Sequence, residues 1–192
     1  MRNYSMVQTL IIANVVAFFL TSAGTSDLAF RLGALWPLGF NFMPWQVVTY
    51  AFLHANVMHL IFNMFGLWMF GRELEALLGG RRFMQLYFAS VLSAAAMQLL
   101  VDSMTGGVFP TVGASGGIFG LLLAYGLFFP NRMVMLLIPP IPMPARVFVV
   151  LYAGLELFLG VTGTEAGVAH FAHLGGMIGA YLVLRRRRGR WR

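Results

Sequence analysis

Residues 167–192 read GVAHFAHLGGMIGAYLVLRRRRGRWR: an apolar, glycine-rich run closed by six arginines, Arg185 to Arg188, Arg190 and Arg192. About 20 predominantly apolar residues as helix cross the hydrocarbon layer of a bilayer. Arginines directly after such a run form a cytoplasmic stop-transfer anchor that also touches anionic lipid. The chain outside this stretch has the same character. Of its 192 residues 59% are hydrophobic and 10% charged, whereas soluble domains carry about 25% charged residues. The apolar runs are continuous rather than alternating, which excludes a water-filled β-barrel. The formal charge of +7 comes from arginines alone, and their position marks a membrane anchor rather than a nucleic-acid surface. Without cysteine, disulfide and thiol chemistry are excluded. The chain reads as an all-α, polytopic membrane protein.

Six apolar segments are predicted as spans of one domain covering 1–192, at about 5–21, 57–70, 83–101, 115–129, 145–161 and 167–184, with 185–192 as a basic cytoplasmic tail. An even number of spans returns both termini to one side. Arg2, Arg72, Arg81, Arg82, Arg132, Arg146 and the tail then lie inside, and Arg31 alone lies outside. That is a strong positive-inside bias, and it argues that the first span is retained rather than cleaved as a signal peptide. The same topology puts a large loop, 22–56, on the outer face between helices 1 and 2. Its Trp36-Pro37, Phe40, Phe42 and Pro44-Trp45 suit an interfacial position. The fourth segment is short and follows Gly106-Gly107, Pro110 and Gly113. It is therefore expected to begin below the outer surface, after irregular backbone lining a wet cavity.

Ionisable and polar groups inside spans are costly, so they point to function. Gly113-Ala114-Ser115-Gly116 places a serine at a helix N-terminus. There, unpaired N–H groups and the positive dipole end suit a developing oxyanion. Alone, the serine reads as a helix cap followed by small-residue packing. His173 changes this. It adjoins a small-residue face, Ala172, Gly176 and Ala180, that matches Gly116, Gly120 and Ala124 on the fourth helix. Two such faces allow close helix contact, which can bring a serine and a histidine into hydrogen-bond reach. An imidazole is a suitable base at neutral pH. His59 and Asn63, four apart on one face of the second helix, offer donors for the tetrahedral oxyanion. Asn is a poor zinc ligand and no H-E-x-x-H occurs, so no metal site is expected.

Together these residues resemble the rhomboid intramembrane serine proteases, motif by motif and in order. His54-x4-His59-x3-Asn63 precedes Gly71-x3-Glu75-x3-Gly79; Gly113-x-Ser115-Gly116 opens the fourth helix; Ala172-His173-x2-Gly176-x3-Ala180 lies in the sixth. Many members carry Gly where Ala180 stands. The resemblance implies a six-helix bundle and a Ser115–His173 dyad without a third acid. It implies an oxyanion hole of His59, Asn63 and the Ser115 backbone N–H. It also implies that His54 organises the neighbouring loop and that Glu75 ties helix ends together on the cytoplasmic side. Two departures are visible. Trp45 is followed by Gln46 where many members have Arg, so the loop must be stabilised differently. The aromatic four residues after the nucleophile is Phe119, often Tyr in the family, which keeps the ring that orients the base.

The expected reaction is endoproteolysis of a membrane-spanning substrate near the outer face, through an acyl-enzyme, without cofactor. The resemblance implies transmembrane protein substrates in a lipid bilayer, no nucleic acid, and a bacterial inner membrane as the setting. The oligomeric state is left open. A non-cleaving relative would lack the serine or the histidine. A transporter would show paired intramembrane charges or an inverted repeat, and neither is visible. His170 is given a structural role. Glu156, roughly 6–9 Å below the outer end of the fifth helix at 1.5 Å per residue, is read as an interfacial or water-facing carboxylate, with a third acid for the dyad as the alternative.

Overall fold

The computed structural model describes residues 4–22, 26–135, 140–163 and 169–186. The order of elements is α1 (Met6–Ser22), α2 (Ser26–Gly33), α3 (Gln46–Thr49) with a 3-10 turn (Tyr50–Phe52), α4 (Val57–Leu78), α5 (Gly80–Thr105), α6 (Ser115–Phe128), β1 (Met133–Met135), β2 (Pro142–Pro144), α7 (Ala145–Thr162) and α8 (His170–Arg186). Each predicted segment overlaps one of the long helices α1, α4, α5, α6, α7 and α8. Residues 23–25 of the predicted loop, the start of the last segment (167–168) and the tail beyond Arg186 lie outside the described residues. By length and apolarity α5 and α7 can each cross a bilayer; α3 with its 3-10 turn and α4 make a third candidate bent by 99°. Large apolar side chains stand exposed along α1 and α7, among them Phe19, Leu20, Val150, Phe158 and Val161. Such surface has no place in water and fits lipid.

The second helix is longer than expected. It runs to Leu78 rather than ending near Phe70, so Gly71 and Glu75 lie within it. Arg72, Glu73 and Glu75 are adequate helix formers. Gly71 is kept small by contact: a Cβ there would stand 2.9 Å from a Val7 methyl. The helix ends at Gly79, whose φ of +76° favours glycine, and this single residue joins α4 to α5. Glu75 accepts the backbone N–H groups of Met6 (2.7 Å) and Val7 (3.0 Å), so a carboxylate from α4 caps the start of α1.

α8 packs most closely on α5 and α6. Between lipid-solvated helices association rests on van der Waals packing, and small residues let backbones approach. A Cβ on Gly176 would fall on the Gly116 carbonyl oxygen, and one on Gly179 would stand 2.6 Å from the Ala89 oxygen. The beginnings of α6 and α8 are thereby held backbone to backbone.

The expected outer loop is folded. Gln46, fully buried, accepts from the backbone N–H of Trp36 and Met43 and donates to the carbonyls of Arg31, Leu32 and Asn41. The Trp45 indole N–H donates to Leu32 O at 2.9 Å. An amide with both donors and an acceptor thus gathers chain from three turns, which shows how this loop is held without the usual Arg. Leu35 and Thr111 exchange two 2.9 Å backbone bonds, and Gly113 N–H donates to Tyr50 O at 2.9 Å. The extended strand that leads into Ser115 is therefore pinned to this loop.

Candidate active site

Ser115 is the first residue of α6, and Ala114 occupies the cap without a side-chain bond. The serine hydroxyl is not used as a cap. Its Oγ lies 2.8 Å from His173 Nε2 of α8, across the Gly116–Gly176 contact. The opening N–H groups of α6 have no acceptor within the helix, so they remain available beside the hydroxyl. Phe119, one turn on, stacks its ring on the His173 imidazole at 4.2 Å between centroids and 5° between planes. Such contact is worth about 0.5–1.5 kcal/mol beyond area burial and fixes the plane of the ring.

Gly113 has φ +125°, a conformation reserved for glycine, and a Cβ on it would stand 2.8 Å from the His59 ring and 3.7 Å from Ser115 Oγ. His59 and Ser115 therefore flank Gly113. Asn56 caps α4 by accepting the His59 N–H at 2.8 Å, and Asn63 donates to the His59 carbonyl at 2.8 Å. That bond uses one amide hydrogen of Asn63 and leaves the other free to donate. His54 is buried and packs edge-on against the His59 ring at 5.1 Å. It buttresses His59. Ala180 is fully buried on the small-residue face of α8.

Ser115, His173, His59 and Asn63 all line one cavity of about 970 Å³. Its walls are mostly apolar, with Phe62 and Met69 of α4 on one side and Phe148 and Tyr152 of α7 on another. The volume lies within the range of small-ligand sites.

Glu156 departs from expectation. It is not water-facing: 7% of its surface is exposed, and one oxygen, Oε2, lies 2.7 Å from His170 Nδ1 and 2.9 Å from His173 Nδ1. The first contact is a hydrogen bond; the second lies off the ring N–H axis. The reason is physical: an ionised carboxylate facing lipid is expensive, and the two imidazoles are the polar groups within reach. His170, given only a structural role from sequence, is the partner of that carboxylate. These three side chains bring one ligand atom each within 4.8 Å of one another, the spread a metal ion accepts. The short separations favour shared protons over a metal, because ligands 2.0–2.1 Å from a tetrahedral zinc stand about 3.3 Å apart.

Sequence reasoning also missed Tyr50. Its hydroxyl donates to Val91 O at 2.8 Å, and its carbonyl holds Gly113. No motif marks it. A pairing rule applied to intramembrane charges could have found the Glu156 cluster.

A serine in contact with an imidazole, beside further polar side chains, thus lines a cavity among apolar helices. The Rhomboid domain family matches residues 41–188. The chain is 32% identical to yeast Rhomboid protein 1, mitochondrial (Saccharomyces cerevisiae), over 140 residues, which are 68% of this chain and 38% of that protein. It is 28% identical to Rhomboid protease GluP of Bacillus subtilis over 141 residues, 72% of this chain and 25% of that one. Rhomboid protease GlpG of Yersinia pestis is 28% identical over 168 residues, 85% of this chain and 56% of that one. The chain spans about a quarter to about half the length of these relatives. It belongs to the rhomboid family and is an integral membrane protein.

Proposed function

We propose that the chain is an intramembrane serine endopeptidase that cuts membrane-spanning protein substrates near the outer face. The observation that carries this reading is the 2.8 Å contact between Ser115 Oγ and His173 Nε2 inside the cavity. Ser115 attacks the scissile carbonyl carbon as its proton passes to His173 Nε2. The oxyanion is received by the Ser115 backbone N–H, Asn63 and His59. His173 then gives the proton to the leaving amine as the C–N bond breaks, and water enters by the same route in reverse to release the acyl group. No cofactor takes part in these steps.

A helix hides its carbonyls in hydrogen bonds, so the scissile segment must unwind before attack. Substrates with small residues at the cut and helix-weakening residues nearby are therefore preferred. The cavity wall between α4 and α7 supports entry of such a segment from the lipid side. With six spans in one domain, the arginine count puts the Met6 end of α1 and the Arg186 end of α8 on the cytoplasmic side. A bacterial cell membrane is the proposed setting, and two of the relatives above are bacterial.

The test uses liposomes holding the protein and a single-pass substrate. The wild type cleaves, while Ser115→Ala and His173→Ala do not. Cleavage by both variants removes the dyad assignment. A wild type that binds but never cuts a panel of substrates replaces the enzyme reading with a client-binding one.

A further inference from the structure

Three buried titratable side chains meet where α7 crosses the first turn of α8: Glu156, His170 and His173. His170 and His173 are three residues apart on one helix, so they share a face; their rings stand perpendicular with centroids 6.4 Å apart. Both turn Nδ1 toward the same oxygen, Oε2 of Glu156, at 2.7 and 2.9 Å. An ionised carboxylate only accepts, so an Nδ1 facing it carries the hydrogen. For His173 this favours the neutral tautomer with Nδ1–H and the lone pair on Nε2. That lone pair points at Ser115 Oγ, 2.8 Å away.

We propose that Glu156 is a positioning residue for the base: its carboxylate holds His173 in the Nδ1–H tautomer and stabilises the imidazolium formed when Ser115 gives up its proton. This rests on the reading of Ser115 and His173 as nucleophile and base. As the Ser115 Oγ–carbonyl bond forms, the hydroxyl proton moves to His173 Nε2, and the charge on the ring sits 2.9 Å from the carboxylate. Glu156 stays ionised throughout. The proton leaves from Nε2 to the amine as the C–N bond breaks, so nothing else is consumed. His170 serves this arrangement by donating the 2.7 Å hydrogen bond that keeps Glu156 aimed between the two rings. Phe119 then fixes the face of the His173 ring and Glu156 its edge. The off-axis 2.9 Å contact needs only a small turn of the carboxylate to align once the ring is charged, as apo catalytic hydrogen bonds commonly do.

The experiment compares wild type, Glu156→Gln and Glu156→Asp in liposomes with a single-pass substrate, reading kcat, KM and the pH dependence of kcat/KM separately. The groups near His173 that bear on that profile are Ser115 on α6, Glu156 on α7 and His170 on α8. His59 on α4, Asp102 on α5 and Tyr152 on α7 line the same cavity. E156Q keeps the shape and loses the charge. The expected result is a fall in kcat on the order of 10²-fold or more, KM within about twofold, and an acid limb moved to lower pH because the imidazolium loses its carboxylate partner. E156D restores part of the rate. Wild-type kcat with an unmoved acid limb in E156Q overturns the proposal. So does a fall in kcat and thermal midpoint together with an unmoved limb, because Glu156 then only ties α7 to α8. A second measurement needs no variant of Glu156: the histidine 15N spectrum of the wild type in micelles. Neutral His173 is expected as the Nδ1–H tautomer, and the Nε2–H tautomer overturns the proposal. Chelation by EDTA leaves the rate unchanged; loss of activity restored by zinc makes the cluster a metal site and overturns it too. S115A and H173A run in parallel. If they still cleave, the nucleophile and base are misassigned; if they are dead while E156Q behaves as wild type, only the role of Glu156 fails.

Discussion

Gly176→Ala tests whether helix separation sets the reactivity of Ser115. A Cβ at position 176 falls on the Gly116 carbonyl oxygen and stands 2.8 Å from the carbonyl carbon and 3.3 Å from Cα. All three atoms are backbone and cannot rotate aside. Carbon atoms rest at about 3.5 Å or more, so α6 and α8 must part by at least about 0.7 Å. Ser115 precedes Gly116 by one residue and His173 precedes Gly176 by three, so the displacement acts on the serine–histidine contact. The 2.8 Å bond lengthens to about 3.5 Å, beyond ordinary hydrogen-bond reach. Overpacking costs about 1–3 kcal/mol of stability, and a misplacement near 1 Å costs about 10²-fold in rate. The assay is kcat in liposomes, with thermal unfolding followed separately in detergent micelles. Gly154→Ala is the control: nothing lies within 4 Å of its Cβ position, so the rate is unchanged and the helix gains about 0.5–1 kcal/mol. If G176A keeps kcat within threefold of wild type while folded, the link between the glycine contact and the dyad is refuted.

Asn63→Ala removes the proposed oxyanion donor and is expected to lower kcat about 10²- to 10³-fold with little change in KM; a change confined to KM would reassign Asn63 to substrate binding. Phe119→Ala loses the stack on His173, about 1 kcal/mol, and slows cleavage roughly fivefold, whereas Phe119→Tyr keeps the rate; equal rates in both would show that the ring does not orient the base. Glu75→Ala leaves the Met6 and Val7 N–H groups uncapped and costs about 1–2 kcal/mol in thermal unfolding, with kcat unchanged because the cap is remote from the cavity. Gln46→Ala strips partners from Trp36, Met43 and Asn41, at about 1–3 kcal/mol per group left dry. Faster hydrogen exchange across 31–46 is the readout, and unchanged exchange there would refute its organising role.

The position of residues along each helix was legible in the sequence, and their direction around it was not. Apolar runs, arginine placement and glycine spacing give helix extents to within a few residues, apart from the extra two turns of α4. Lipid solvates one side of a helix as readily as protein packs the other, so an apolar helix carries little record of which face is buried. On α7, Phe148 and Val149 are buried while Val150 and Leu151 are exposed, and hydrophobicity does not separate them. Small residues break this silence. Gly116, Gly120 and Gly176 marked the α6–α8 contact because only glycine permits backbone to touch backbone. Gln46 marked nothing, since its partners are backbone groups common to every sequence. Glu156 stands between these cases. Its depth was readable, but its partners were not, because a single ionisable group in an apolar helix does not show which neighbour it faces. An acid and two imidazoles on successive helices are costly separately and far less so together. Taken as one set they point inward to a common contact, which the 2.7 and 2.9 Å separations describe.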